Sequence, residues 1–550
     1  MTAERPRRCY QLLAEAIVAE GVDVVFGVMG DGNLHLITDL VERLGVRFVA
    51  ARHEAGAVAM ADGYARASGR PGVCTVTHGP GLTQTGTPLT AARQARSPVV
   101  VIAGDTPPAF RLHAQNIDQH TFALASAGAI QQLRGAAHVP EDVALAFRHV
   151  RLGLGPIVLN APVDLQLQPA LPDARPTPST ERLAPPQRRL PDPERIAAVA
   201  ERIARSERPV VLAGRGAVLA GARPALLALA ERIGALLATT LLAKGWFDGE
   251  PFAVGLAGGF SDDRAREILR QADLVLAFGA GLNQFTVDQG RLFPHAALVQ
   301  VELDPTRVGW ATLVDDAILA DARATAEALL AVLPPTPRTG FRSEALRSHL
   351  AAPLLPPADV VADDGLDPRL VARTVDAALP PRRNLVVGIG HYSGYPAIAV
   401  GVADPRDLVL PWHLGSVGLG LPVGIGVAVA RPEQPTLVVE GDGGLLMSLP
   451  ELETAARERI PLLVVVLDDR AYGAELHILA AEGLPTRLAL FDTPDLARVA
   501  ESLGCRAVRA DTAEALRTAL HAFDRTHPLV VHVPVTRQVV HHEIFRALRP

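Results

Sequence analysis

The sequence predicts an α/β protein built from three parallel-sheet domains, and three observations carry that expectation. Short apolar runs of strand length alternate with stretches of helical length along most of the chain, as in βαβ units. Two proline-rich stretches, 168–193 and 333–357, show no hydrophobic period and read as linkers, leaving three blocks. The 550 residues suit three or four domains of about 150 residues each.

Taken in order, 9–20 is an amphipathic helix and 24–28, 46–50 and 98–103 are strands of the first block, residues 1–168. After a linker over 169–193, the middle block (194–333) has strands at 209–213, 274–277 and 297–301, with a helix over 223–233. A second linker, 334–367, leads to the last block (368–550), where 384–387, 436–439, 462–467 and 529–533 read as strands. No short-period repeat is present.

With 49% hydrophobic and 20% charged residues, the composition is that of a core-rich globular chain. A net charge of -6 excludes general nucleic-acid binding, and the basic run 5–8 is too short for a patch and reads as a frayed tail. No apolar stretch reaches the roughly 18 residues of a membrane span, and no signal peptide precedes Tyr10. Cys9, Cys74 and Cys505 show neither ligand spacing nor obvious pairing, which fits a reducing, cytoplasmic setting.

The first chemical signal is Gly441-Asp442-Gly443, at the end of the apolar run 435–440. Asp468-Asp469 closes a second apolar run after the 24 residues from Gly444 to Leu467. Two strands ending in carboxylates, with a helical stretch between, can hold a divalent metal against a diphosphate. Hard carboxylate oxygens suit Mg²⁺ or Ca²⁺, and glycine backbone lets N–H groups approach phosphate closely. Alone, such a tripeptide is usually a plain turn; the strand–turn–helix–strand setting and second acidic site raise its specificity.

A second signal lies about 390 residues upstream. Arg52-His53-Glu54-Ala55-Gly56 opens a helical stretch after a strand, and Thr77-His78-Gly79-Pro80-Gly81 follows. Together the two segments resemble thiamine-diphosphate enzymes of the acetolactate synthase and 2-oxo acid decarboxylase superfamily, including benzoylformate decarboxylase-like members, over nearly the whole chain. The resemblance implies α/β architecture with three doubly wound parallel-sheet domains: pyrimidine-binding, central and diphosphate-binding. It implies related folds for the first and third blocks, and a homodimer or dimer of dimers in which one subunit's glutamate reaches cofactor held by another.

Residue by residue, the resemblance places Glu54 at the cofactor's N1′, where a shared carboxyl proton favours the imino tautomer that generates the ylid. Asp442 and Asp469 match the side-chain ligands of Mg²⁺, and Ala471 the position that contributes a backbone carbonyl. Asparagine is common in relatives where Asp469 stands. Gly441, Gly443 and Gly444 match the diphosphate turn, Gly390, His391 and Tyr392 a neighbouring loop, and Tyr472 the segment after the metal loop. His391 reads equally as a surface-loop histidine. In 413–420, Gly415 matches the carbonyl that accepts from the 4′-amino group, and Val417 the apolar wedge beneath the cofactor.

On the substrate side, Asp31 resembles the aspartate of the decarboxylases' Gly-Asp turn, with helix capping as its plain alternative. Glu475 stands where decarboxylases carry an active-site glutamate; a partly desolvated carboxyl there would protonate the carbanion left by CO₂ loss. His78 replaces a usual serine and is an acid–base or carboxylate-binding candidate. Among His113, Gln115 and His120, Gln115 fits the synthase-like segment best. His477 and the pair His541-His542 are weaker candidates.

Departures narrow the expectation. Gly279-Ala280-Gly281-Leu282-Asn283 lacks the arginine of FAD-containing synthases, so FAD is expected to be absent. The paired-histidine motif of pyruvate decarboxylases is missing from 111–120. The expected activity is that of a thiamine-diphosphate- and Mg²⁺-dependent lyase or carboligase on a small 2-oxo acid, with an aldehyde or second oxo acid as possible acceptor. An FAD-independent acetolactate synthase-like carboligase or acyloin lyase is the alternative. A catalytically idle cofactor-binding relative is more remote, since Glu54, Asp442 and Asp469 are all intact.

Overall fold

Residues 6–107, 109–110, 112–182, 187–353 and 358–541 are described by a computed structural model of the chain. They form two compact units. One gathers the chain up to 182 with 361–393 and 409–537; the other gathers 187–353, 358–360, 394–408 and 538–541.

Three six-stranded sheets organise the chain. The first contains β1 (Val24–Gly27), β2 (Arg47–Ala50), β3 (Gly72–Val76), β4 (Val99–Asp105), β5 (Ile130–Gln132) and β6 (Ile157–Pro162), in the order β2-β1-β3-β4-β6-β5. The second contains β7 (Pro209–Ala213), β8 (Leu236–Thr239), β9 (Ala253–Leu256), β10 (Leu274–Phe278), β11 (Ala297–Glu302) and β12 (Asp316–Leu319), in the order β9-β8-β7-β10-β11-β12. The third contains β13 (Asn384–Val387), β14 (Leu408–Val409), β15 (Thr436–Gly441), β16 (Leu462–Asp468), β17 (Arg506–Arg509) and β18 (Leu529–Pro534), in the order β14-β13-β15-β16-β18-β17.

All pairings in the first two sheets are parallel, as are those joining β13, β15, β16, β18 and β17. This is the expected α/β class, and its cause is visible in the strands. Val-, Ile- and Leu-rich runs such as β4 and β16 are buried on both faces, as parallel strands covered by helices must be. By position, the first and third sheets share one strand order, as the resemblance implied. The central sheet instead has the 3-2-1-4-5-6 order of dinucleotide folds.

In the first unit, helix Glu54–Ser68 packs against helix Gly420–Ala430 at glycines. A Cβ on Gly63 would lie 2.1 Å from the Val423 carbonyl oxygen, and one on Gly426 would lie 1.9 Å from that of Met60. The backbones therefore approach as only glycine allows, and the two helices share one continuous core with β3, β15 and β16.

Two expectations are corrected. The basic N-terminus is not frayed where it is described. Arg7 bonds Glu15 and the carbonyls of Leu171 and Ala174, and Arg8 bonds that of Leu167. Nor are the proline-rich stretches featureless: they contain helices Ser179–Arg182 and Glu344–Ala351, the latter capped by Ser343. Polar helices with few buried residues leave no hydrophobic period to read.

Candidate functional site

Open parallel sheets place ligands beyond the strands' carboxyl ends, where the strand order reverses. In the first sheet that position lies between β1 and β3, and the loops Gly30–Asn33 and Thr77–Gly81 emerge there. Asp31 does not cap the following helix; Asn33 occupies that position. The Thr77 hydroxyl donates to Asp31 Oδ1 at 2.9 Å, which leaves the aspartate 61% exposed and tethered. His78 is only 2% exposed, with Nε2 3.7 Å from Asp31 Oδ2. Neither ring nitrogen of His78 makes a hydrogen bond among the described residues. A buried imidazole without partners is costly, so it is suited to a polar ligand.

His113, rather than the preferred Gln115, completes this group, its ring edge-on to His78 at 5.1 Å between centroids. Gln115 contributes backbone: its N–H donates to His113 Nδ1 at 3.2 Å, and its carbonyl oxygen would lie 2.1 Å from a Cβ on Gly79. His120 is exposed. Asp31, His78 and His113 bring their potential ligand atoms within 4.8 Å of one another. However, His113 Nδ1 is already accepting, so in the neutral ring Nε2 carries the proton and donates. The trio thus gathers two imidazoles and a carboxylate at the switch point.

Glu54 is the first residue of helix Glu54–Ser68, half-buried, and its Oε1 lies 3.6 Å from where a Cβ on Gly81 would stand. The start of this helix is fixed by a residue the sequence reading missed. Buried Glu451 accepts the backbone N–H groups of Arg52 and His53 at 3.3 and 3.0 Å and the Thr454 hydroxyl at 2.7 Å.

In the third sheet the corresponding reversal lies between β13 and β15. Asp442 follows β15, and Asp469 follows the neighbouring β16. Burial, then repulsion from Asp469 and Asp468, pushes the Asp442 carboxyl up to about 8. Burial and the Asp468 charge push Asp469 up to about 6, against the Ala471 N–H and the Arg537 charge. Among the described residues neither forms an ion pair with a cationic side chain. Buried carboxyls that repel one another at two strand ends fit a divalent cation. Arg470 takes a left-handed conformation (φ 52°), which turns the chain sharply between Asp469 and Ala471.

The loops expected to hold a diphosphate converge beside these acids. A Cβ on either Gly390 or Gly441 would lie 2.7 Å from the Tyr392 ring, so both are held to glycine. His391 is not a surface histidine; it is buried, with its ring 4.4 Å from that of His477. Gly415 is left-handed (φ 74°) in the turn that leaves Val417 exposed, and Gly418 packs on Met447. Gly443 and Gly444 lie in the first turn of helix Asp442–Met447.

Glu440 joins these loops and was also missed. It is fully buried, and Tyr392 donates to it at 2.6 Å. Cβ atoms on Gly388, Gly420 or Gly444 would lie 2.1–2.4 Å from its carboxyl oxygens. Burial raises the Glu440 carboxyl to about 7, against the Tyr392 hydroxyl and nearby N–H groups. An acid inside an otherwise apolar parallel strand was the available signal.

Glu475, expected to be partly desolvated, is instead exposed on helix Gly473–Ala481, because that helix buries only Gly473. Tyr472 is also exposed, with its ring against Phe491. Of the histidine pair, His541 is buried against Tyr395 and Phe260, while His542 lies outside the described residues.

In the central sheet the reversal lies between β7 and β10, and backbone fills it. A Cβ on Gly214 would lie 2.3 Å from the Gly279 carbonyl oxygen, and one on Gly216 2.7 Å from Gly279 Cα.

Comparison with known proteins matches three family models in chain order: the thiamine pyrophosphate enzyme N-terminal TPP-binding domain over 7–124, the central domain over 196–329 and the C-terminal TPP-binding domain over 388–533. The chain is 31% identical to a probable 2-ketoarginine decarboxylase of Pseudomonas aeruginosa, covering 93% of this chain and 91% of that protein. It is 30% identical to a sulfoacetaldehyde acetyltransferase of Rhodobacter capsulatus (93% and 90%). It is 29% identical to a probable acetolactate synthase large subunit of Methanocaldococcus jannaschii (93% and 88%). The fold matches the thiamine diphosphate-dependent 4-hydroxybenzoylformate decarboxylase of Rhodococcus jostii RHA1, with a TM-score of 0.82 at 22% identity over 96% of this chain and 99% of that one.

Proposed function

The chain belongs to the thiamine pyrophosphate enzyme family, and from that premise we propose that it decarboxylates a small 2-oxo acid. Its product is then an aldehyde, formed by protonation, or an acyloin, formed by ligation to a second carbonyl. The observation that carries this reading is the arrangement of Asp442 and Asp469 at neighbouring strand ends, with their carboxyls raised by burial and mutual repulsion.

These two carboxylates and the Ala471 carbonyl would hold Mg²⁺. The glycine-rich loops around Glu440 would receive the diphosphate. When bound, thiamine diphosphate supplies a thiazolium that acts as nucleophile and as electron sink for CO₂ loss. Glu54 would hold the proton shared with N1′, at a helix start that Glu451 keeps in place. His78 and His113 would orient the substrate carboxylate by N–H donation, and Asp31 would take part in moving the proton that completes the product. Glu475 is the second candidate for that proton.

Exposed Met447 and Tyr472 beside the diphosphate loops support a homodimer in which a second chain covers them. Among the described residues no helix is long and apolar enough to cross a membrane. The three cysteines are buried free thiols, which supports a reducing, cytoplasmic compartment.

The test is a panel of 2-oxo acids incubated with the chain, thiamine diphosphate and Mg²⁺, with and without aldehyde acceptors, followed for CO₂ and products by mass spectrometry. Aldehyde alone makes it a decarboxylase. An acyloin or acetohydroxy acid makes it a carboligase, the reading that the acetolactate synthase and acetyltransferase relatives favour. No CO₂ from any acid overturns the proposal.

A further inference from the structure

The metal reading leaves a third carboxylate unexplained. Asp468 is buried, lies one residue before Asp469, and its charge raises the carboxyls of both Asp442 and Asp469. Its Oδ1 accepts the Arg470 N–H at 3.1 Å, and its Oδ2 lies 2.8 Å from His532 Nε2. An ionised carboxylate only accepts, so Nε2 carries a proton and donates. The other ring nitrogen, Nδ1, faces Asp495 Oδ1 at 3.6 Å. Asp495 is anchored in turn, since its Oδ1 accepts the Ala497 and Arg498 N–H groups at the start of helix Leu496–Ser502. His532 is fully buried on β18, opposite Val466 of β16. The ring is therefore fixed between two carboxylates by two parallel strands and a helix start.

We infer that His532, held by Asp495, forms with Asp468 a hydrogen-bonded outer shell of the metal site, which holds Asp468 out of coordination and leaves Asp442 and Asp469 to face the cation. The inference rests on the reading of Asp442 and Asp469 as metal ligands. The physical need is clear: three adjoining carboxylates beside a diphosphate concentrate negative charge in a buried place. A hydrogen bond from an outer group to an inner carboxylate sets which oxygens are free to ligate. Without His532, Asp468 is a buried carboxylate free to compete with Asp442 and Asp469 for the cation. Metal affinity in the ordered geometry then falls. His532 and Asp495 are thus positioning residues.

The test is Mn²⁺ binding in the presence of saturating thiamine diphosphate, read from the free-ion electron paramagnetic resonance signal, with the melting temperature recorded separately. His532→Leu is expected to weaken Mn²⁺ binding about tenfold or more. His532→Gln, which keeps a donor toward Asp468, is expected to stay within about threefold of wild type. In an Asp468→Asn background, where no third carboxylate needs compensation, His532→Leu is expected to cost less than about threefold. That double variant also serves if His532→Leu alone does not fold, because it leaves no unpaired Asp468. Unchanged affinity in folded His532→Leu overturns the inference, and so does a full tenfold loss in the Asp468→Asn background. A merely structural histidine would lower the melting temperature equally in both backgrounds and leave the affinity of the folded protein alone. Wild-type protein that takes up no Mn²⁺ defeats the metal reading itself, and the inference with it. Wild-type uptake with unaffected variants defeats only the outer shell.

Discussion

The first and third sheets have one strand order and opposite chemistry. Both place their functional loops where the order reverses, between β1 and β3 in one and between β13 and β15 in the other. The first sheet's loops gather two imidazoles and a half-buried glutamate: His78, His113 and Glu54, with Asp31 tethered by Thr77. The third presents paired acids and close-packed glycines: Asp442, Asp469, and the turns around Glu440. Topology fixes where a site can form, and the loop residues decide what it handles. The central sheet adds the contrasting case, since its reversal is filled by backbone contact between Gly214, Gly216 and Gly279.

The sharpest way to break this comparison is to remove one acid from each side. Asp442→Ala should abolish measurable thiamine diphosphate binding at ordinary Mg²⁺ concentrations, read by calorimetry, and turnover should vanish with it. Glu54→Gln should leave binding within several-fold of wild type and lower turnover by roughly 10²–10⁴, the range for a lost acid–base group. If both variants lose affinity alike, the two sheets do not divide the labour as proposed. Full activity in Glu54→Gln would remove its catalytic role altogether. Chelation should resemble Asp442→Ala in being a binding defect, but one that added Mg²⁺ reverses.

Much of this division was legible in the sequence. Apolar runs marked most of the parallel strands, and two motifs about 390 residues apart fall at the switch points of the first and third sheets. What was not legible depends on contacts distant in sequence. Glu440 read as the last residue of a strand. Its role appears only when Gly388, after β13, and Gly420 and Gly444, at the starts of two helices, close around its carboxyl. Glu451 read as one more helical glutamate, yet it accepts the N–H groups of Arg52 and His53, some 400 residues earlier. The sequence favoured Gln115 over His113; the turn sends the ring of His113 toward His78 and the backbone of Gln115 toward Gly79. Glu475 stands more exposed than expected, because its helix buries only Gly473 in this chain.

A pH series sharpens the comparison further. Asp442, Glu440 and Asp469 are raised to about 8, 7 and 6, above the usual carboxyl range near 4. Folding without metal therefore takes up protons. The resulting stability is full below the unfolded carboxyl range and is lost as pH rises through 6 to 8. The melting temperature of cofactor-free protein should fall across that interval. Mg²⁺ with thiamine diphosphate should remove the part due to Asp442 and Asp469, because a bound cation favours their ionised forms. The part due to Glu440 should remain, since burial rather than cation-site repulsion raises it. A flat profile without metal would contradict the third sheet's acidic character, while the first sheet's groups play no part in this expectation.

The smallest expected effect concerns the loop hub. Tyr392→Phe removes the hydroxyl that donates to Glu440 at 2.6 Å and leaves a buried carboxyl with one fewer partner. Losing a hydrogen bond to a charged or proton-sharing buried group costs about 1–3 kcal/mol. Chemical denaturation should show that loss in the cofactor-free protein. Because Glu440 packs against Gly388, Gly420 and Gly444, in segments proposed to receive the diphosphate, the same change should also weaken thiamine diphosphate binding several-fold, with turnover at saturation near that of wild type. Glu440→Gln tests the same contact from the other side. An amide of the same shape still accepts from Tyr392, so it should be milder than Tyr392→Phe. A Tyr392→Phe protein that loses stability but binds cofactor normally would make the hub a folding element only, and the third sheet's loops would then owe their positions to the glycine contacts alone.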